Sequence, residues 1–225
     1  MTTLFRHLAA SLLLFSCGSL FAQNKFTAGG RIGIGLSTLP ELNESSNIAH
    51  FAFGGSFNYS FMPFIGISAD ALLLTTGGGY KGSTMIEDPQ GFTNDEPYEG
   101  EIRFTTLSIP LYPQLSLGNE DFRILLNGGI ATNFNLFASE SRNYENDENN
   151  ENVDDLIKDI LDDYRFVSFA TVYGVGARFK LSEEEFLQVD VRASMELNDL
   201  YTTKNNEIPT TFKRNLYTLS VTYFF

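Results

Sequence analysis

The sequence is short of cysteine, of basic residues, of histidine and of long apolar runs. Its one cysteine, Cys17, lies in the leader, so the mature chain is expected to have neither a disulfide nor thiol chemistry. Lys and Arg number 15 against 28 Asp and Glu, a balance that excludes a nucleic-acid surface. Beyond the leader no stretch is long and apolar enough for a spanning helix. That excludes a helical membrane protein but not a membrane barrel, whose strands alternate and never build such a run. The leader, MTTLFRHLAASLLLFSCGSLFAQ, places Arg6 and His7 before an apolar run from Leu8 to Phe15, then small residues and Ala22 before Gln23. This is the order of a secretory signal peptide, and the run is shorter than the ~20 residues of a membrane helix. Residues 1–22 are therefore expected to be removed. Leu14, Phe15 and Ser16 before Cys17 also resemble a lipoprotein cleavage box, with Phe15 an unusual residue at its position. Roughly 200 residues remain, which suits one domain.

What the mature chain has in quantity is alternation. Leu187, Val189, Val191, Ala193, Met195 and Leu197 alternate with Gln188, Asp190, Arg192, Ser194, Glu196 and Asn198, a period of two that separates the sets onto opposite faces of a strand. About 11 residues of it match the length of a tilted membrane strand. Seven other segments repeat the pattern, centred on Ile34, Phe57, Ile67, Leu111, Ile130, Val175 and Val221. Pro110 and Pro113 lack an N–H and predict a bulge or kink in the fourth segment. Short turns at Met62–Pro63, Gly118–Asp121 and Leu181–Glu184 alternate with longer connections at Thr38–Ala49, Gly77–Gly100, Ala138–Asp163 and Asp199–Thr211. The expected fold is all-β: an eight-stranded antiparallel transmembrane β-barrel over residues 23–225, with short periplasmic turns, longer extracellular loops and both mature termini in the periplasm. Phe61, Phe122, Phe179, Tyr223 and Phe225 would form an aromatic girdle at the periplasmic rim.

A soluble barrel or sandwich also alternates, but its continuous apolar side faces inward. Here the apolar faces are nearly free of charge, while Arg31, Asp70, Arg123, Arg178, Asp190, Arg192 and Glu196 share the polar faces with glycines. A soluble core would not hold so many charges. In a membrane barrel these seven residues form an interior polar network, with Arg178 and Asp190 an expected pair near the periplasmic rim. An eight-stranded bore is just wide enough for its own side chains, so a plugged cylinder is expected and a narrow passive channel is the alternative.

The segments KFTAGGRIGIGLS at 25–37, TTLSIPLYPQLSLG at 105–118 and RNLYTLSVTYFF at 214–225, with SLFAQ at 19–23, resemble the outer-membrane β-barrel family of Bacteroidetes, including the PorT-like proteins. The resemblance implies an integral protein of the Gram-negative cell outer membrane, linked in some members to secretion and gliding machinery. Tyr223 and Phe225 look like the C-terminal signal read by the barrel-assembly machinery during biogenesis, as well as interface anchors.

No catalytic, cofactor or metal motif stands out, and the chain is not read as an enzyme. His50, the sole histidine after the leader, has Ser46 and Ser56 within conceivable reach in sequence, the weak basis for a lipid or peptide hydrolase. Gly77, Gly78 and Gly79 lack the Lys-Ser/Thr and helix of a nucleotide loop and read as a loop entrance. The acidic connection at about 138–163 is expected to be mobile in its first half. In its second half Val153, Leu156, Ile157, Ile160 and Leu161 recur at helical spacing, predicting a short amphipathic helix from about Val153 to Asp162 as a candidate docking face. The carboxylates there lack calcium-loop spacing. Besides membrane lipid, the expected partner is an unidentified envelope protein contacted through the outer loops. The function expected is thus structural, scaffolding or partner-presenting.

Overall fold

The computed structural model describes residues 26–42, 44–87, 93–144, 158–159, 161–201 and 212–225. The strands are β1 (Phe26–Thr38), β2 (Ile48–Met62), β3 (Ile65–Glu87), β4 (Thr93–Gly118), β5 (Phe122–Tyr144), a two-residue β6 (Lys158–Asp159), β7 (Val167–Lys180), β8 (Phe186–Glu196) and β9 (Asn215–Phe224). Among the described residues the eight long strands pair antiparallel with their sequence neighbours, and β1 pairs with β9 to close the ring. β6 sits outside the ring against Ser139 and Glu140 of β5. The fold is an all-β, eight-stranded antiparallel closed barrel.

Closure gives every central strand two hydrogen-bonding neighbours, which a lipid environment demands of the backbone. The period of two then sorts the side chains. Ile32, Ile34, Phe51, Phe53, Leu111, Ile130, Val175 and Val191 lie exposed around the outside, whereas Arg31, Ser56, Asp70, Tyr112, Gln188 and Asp190 are buried in the bore. A soluble protein exposing such an apolar belt would aggregate; as the outer wall of a membrane barrel it meets acyl chains.

Three expectations about the strands are corrected. The prolines cause no bulge: register runs unshifted through both, because each interrupts only one ladder. Pro110 falls in a gap of the β3–β4 ladder but pairs with Ala131 on β5, and Pro113 falls in a gap of β4–β5 but pairs with Ile67 on β3. The register shift instead lies where Thr105 pairs with Phe137 and Thr106 with Asn135. Leu136 is the extra residue, so that Asn135 and Ala138 both point in and Phe137 points out. Second, the connection read at Gly77–Gly100 is largely strand: β3 and β4 stay paired as far as Glu87 and Thr93. Gly77 to Gly79 are strand residues, not a loop entrance. Third, the helix expected from Val153 to Asp162 does not extend through its described end. Lys158 and Asp159 pair as strand with β5, which fixes their backbone in an extended form, and Leu161–Asp163 make one 3₁₀ turn. Val153, Leu156, Ile157 and Ile160 lie outside the described residues, as does the leader.

Close packing of β1 on β9 depends on the absence of a side chain at Gly35. A Cβ there would come 1.8 Å from the Tyr217 carbonyl oxygen and 2.7 Å from His50 Nε2, whereas one at outward Gly30 would meet nothing within 4 Å. Gly35→Ala is expected to destabilise the barrel by about 1–3 kcal/mol, and Gly30→Ala to stay within about 0.5 kcal/mol of the parent. Guanidinium unfolding in detergent, followed by the heat-modifiable gel shift of the folded barrel, measures both; equal midpoints would refute the packing argument.

Candidate functional site: a polar bore beneath an aromatic cup

The lower half of the bore is organised around two carboxylates. Asp70 on β3 lies 2.6 Å from Arg192 Nη1 and 3.5 Å from Arg31 Nη1, and accepts hydrogen bonds from Ser56 and from the Tyr112 hydroxyl at 3.0 Å. Asp190 on β8 accepts from Arg31 Nη2 and, at 3.0 Å, from Gln188 Nε2. Arg192 Nε approaches Asp190 Oδ1 at 2.8 Å without hydrogen-bond alignment, so that contact is an ion pair alone. The Arg192 guanidinium also donates to the Tyr112 hydroxyl and lies 4.4 Å from that ring's centroid. Glycines make the room: a Cβ at Gly174 would meet Arg192 Cγ at 2.8 Å, and one at Gly129 would meet Tyr112 Cβ at 2.7 Å.

Above this cluster the bore turns apolar. Leu72 and Leu74, which break the polar alternation of β3, are buried with Ala52 and Leu216, while Ala131, Ala170 and Val172 pack together across the barrel. Leu216 and Val172 both pair with Ser194, which places this belt between Arg192 and Glu196 on β8. A second polar cluster follows. Arg214, just before β9, reaches Glu196 at 2.6 Å and donates to Thr76 at 2.7 Å and Thr106 at 3.1 Å; Glu196 also accepts from Ser168 at 2.6 Å and Asn133 at 3.3 Å.

Over that lies an apolar cap. Leu39, Ile102, Phe104, Ala138, Tyr164, Leu200 and Phe212 are buried in one cluster, with Leu161 packed against it. Tyr164 meets Phe104 edge-on at 4.9 Å and Tyr201 at 5.0 Å. The cap forms the floor of an open cup of about 730 Å³ at the long-loop rim, walled by Tyr80, Tyr98, Tyr201, Glu41, Glu140 and Arg142, a volume typical of small-ligand sites. Tyr80 donates to Glu140, which also holds Arg142 Nε at 2.8 Å. Burial first, and then the Glu140 hydrogen bond, push the Tyr80 hydroxyl well above the ordinary tyrosine value. Burial followed by the neighbouring Tyr201 and Glu140 does the same to Tyr164, and burial followed by Asp163 and Glu140 raises Tyr201.

The structure brings Arg31, Asp70, Asp190 and Arg192 into one cluster and places Glu196 in another. Arg178 does not pair directly with Asp190: its Nε and Nη2 donate to Gln188 Oε1 at 3.2 and 2.8 Å, and Gln188 bridges onward. Arg123 stands at the short-turn rim, donating to the carbonyls of Asn119 and Pro63, each at 3.1 Å. Sequence reasoning passed over Arg214, Tyr112 and Gln188 as network members, although Arg214 shares the parity of inward Thr218. His50 is buried and shares a 2.9 Å hydrogen bond with Thr218. Ser56 donates to Asp70, and among the described residues the His50 ring is hydrogen-bonded to Thr218 rather than to Ser46 or Ser56. Tyr223 and Phe225 both face outward, with ring centroids 6.4 Å apart and the Tyr223 hydroxyl on Glu185 at 2.6 Å.

Two outcomes follow. Asp70→Asn leaves Arg31 and Arg192 short of a buried counter-charge and is expected to cost about 3–5 kcal/mol. Asp70→Asn combined with Arg192→Met should recover part of that in guanidinium unfolding, and a strictly additive double variant would count against direct coupling. For the cup, the folded protein holds tyrosine protons that the unfolded chain releases near the ordinary value of about 10, so stability falls as pH rises above about 10. The unfolding midpoint should be lower at about pH 11 than at about pH 9, with the drop reduced in Tyr80→Phe. An unchanged midpoint in the parent would contradict the raised hydroxyls.

No curated protein matches the chain in sequence. Among solved structures it is similar to Neisserial surface protein A (10% identity over 88% of this chain and 95% of that one, TM-score 0.45). It is similar also to Ail, the attachment invasion locus protein of Yersinia pestis (12% identity, 89% and 99%, TM-score 0.41), and to the outer membrane protein OprG from Pseudomonas aeruginosa (11% identity, 89% and 95%, TM-score 0.42). The family model described as an outer membrane protein beta-barrel domain matches residues 21–202. With a closed eight-stranded ring, an apolar outer belt and this match over most of its length, the chain belongs to the family of outer-membrane β-barrel domain proteins.

Proposed function

We propose that the protein is a closed outer-membrane barrel that works at its long-loop rim, which it presents outside the cell to an envelope partner or ligand, rather than through its bore. The observation that carries this reading is the layering of the interior. Two ion-paired clusters and two apolar levels succeed one another between the rims, whereas β3, β4 and β5 run 23, 26 and 23 residues. About 11 residues suffice to cross the membrane. The excess length is a stiff hairpin platform standing in water, beside a cup floored by aromatic side chains. Both mature termini then lie on the periplasmic side, after removal of residues 1–22. Outward Tyr223 and Phe225 serve as the signal for the assembly machinery.

Placement in the PorT-like branch of Bacteroidetes rests on the segments at 25–37, 105–118 and 214–225, and association with secretion machinery is its corollary. The docking role for Val153, Leu156, Ile157, Ile160 and Leu161 keeps one described support: Leu161 packs against the cap beneath the cup.

In planar bilayers the purified protein is expected to be electrically silent, and robust protein-dependent unitary currents would overturn the sealed-bore reading. A photo-crosslinker at exposed Lys81, beside the cup, should capture one reproducible envelope component in cells. The capture should be lost on Tyr98→Ala with Tyr201→Ala while the barrel still folds. No capture, together with normal envelope integrity on deletion, would reject the partner-presenting role.

A further inference from the structure

The arginines of the bore are not treated alike. Arg31, Arg192 and Arg214 each form an ion pair with an inward carboxylate. Among the described residues Arg123 and Arg178 do not, although their Cα atoms are direct partners across β5 and β7 and both line a cavity of about 360 Å³ at the short-turn rim. Every oxygen they donate to among these residues is neutral. Arg178 uses Nε and Nη2 on Gln188 Oε1, with its guanidinium 4.8 Å from the Phe224 ring centroid. Arg123 uses Nε and Nη1 on the Asn119 and Pro63 carbonyls. Gln188 hands its own amide to Asp190, whose charge is already committed to Arg31 and Arg192.

Like charges directly opposite in a sheet destabilise it, and arginine cannot relieve the repulsion by losing a proton. Among the described residues the one carboxylate lining the cavity is Glu120, and it forms an ion pair with neither arginine. Residues 1–25 contain no Asp or Glu. The cavity also holds Thr27, whose buried hydroxyl has no hydrogen-bond partner among the described residues, with Asn58 and Ser60 beside it. Two guanidinium forks and this hydroxyl thus line one hollow in a chain that is acidic overall.

We propose that this hollow binds a phosphate-type oxyanion between Arg123 and Arg178, with Thr27 completing the donor set. A planar guanidinium offers paired N–H donors that match phosphate oxygens, and two of them match its charge. A phospholipid headgroup and a free phosphate share this chemistry. Phe61 and Met62, exposed at the edge of the cavity, provide apolar contact for the acyl chains of the former.

The test is calorimetric titration of the full folded chain in a neutral maltoside detergent, with two probes: inorganic phosphate and dihexanoylphosphatidylglycerol. Saturable binding of one probe molecule per chain is expected for at least one of them. Binding of inorganic phosphate alone assigns the site to a soluble ligand, binding of the lipid alone to a headgroup, and mutual competition to the phosphate group common to both. Arg123→Gln, at the more exposed of the pair, should weaken binding at least tenfold while the heat-modifiable gel shift is retained. Glu120→Gln, which removes the one lining carboxylate, should tighten it severalfold and keeps the test alive if Arg123→Gln fails to fold. Absence of saturable binding by either probe, undiminished binding in folded Arg123→Gln, or no tightening in Glu120→Gln would each overturn the proposal.

Discussion

An unpaired backbone N–H or C=O in hydrocarbon costs several kcal/mol, and a sheet in a membrane therefore has to close on itself. In this protein the closing seam is the pairing of β1 with β9, which runs from Gly29 opposite Phe224 to Thr38 opposite Asn215. Once eight strands close, the bore is too narrow for bulk water and too wide to stay empty, so the inward side chains must fill it and satisfy one another. Large arginines and a tyrosine fit because glycines stand opposite them, and the arginines are tolerated because carboxylates reach them from other strands.

Buried ion pairs are weak evidence for net stability, since desolvation offsets much of the attraction. Their stronger effect here is on register. A slip of one residue exchanges the two faces of a strand. For β8 that would carry Asp190, Arg192 and Glu196 to the lipid face, where an arginine near the midplane costs about 2–4 kcal/mol. Arg31 contacts carboxylates on both β3 and β8, so the register of β1 is tied across the bore to two strands, neither of which is its neighbour in the ring.

The alternation of the sequence was enough to read the eight strands and the facing of most of their residues, because period two is a purely local property. It did not reveal where the strands stop. Glycines and polar residues from Gly77 to Gly100 look like loop in isolation, but β3 and β4 continue to pair there because each supplies the other's backbone partners in water. Nor did it reveal which charges meet. Arg178 and Asp190 lie on neighbouring strands, yet Gln188 intervenes and Asp190 belongs to Arg31 and Arg192, a choice made in three dimensions by side chains from three strands. Arg214 was legible by parity but sits just outside a strand, where alternation is easily abandoned. The bulge at Leu136 shifts parity by one residue with no proline or glycine to announce it.

The two ends of the bore differ in a way that bears on where ligands can act. Toward the long-loop rim Arg214 is paired with Glu196 below the aromatic cap, and Arg142 with Glu140 above it. What is left to offer there is aromatic surface and the geometry of a rigid cup, which suits recognition by stacking and shape. Toward the short-turn rim Arg123 and Arg178 have no ion-pair partner among the described residues, which suits recognition by electrostatics. The apolar side chains of Leu72, Leu74, Leu216 and Val172 lie between the two polar clusters. Two chemically unlike rims thus stand at the ends of one closed cylinder.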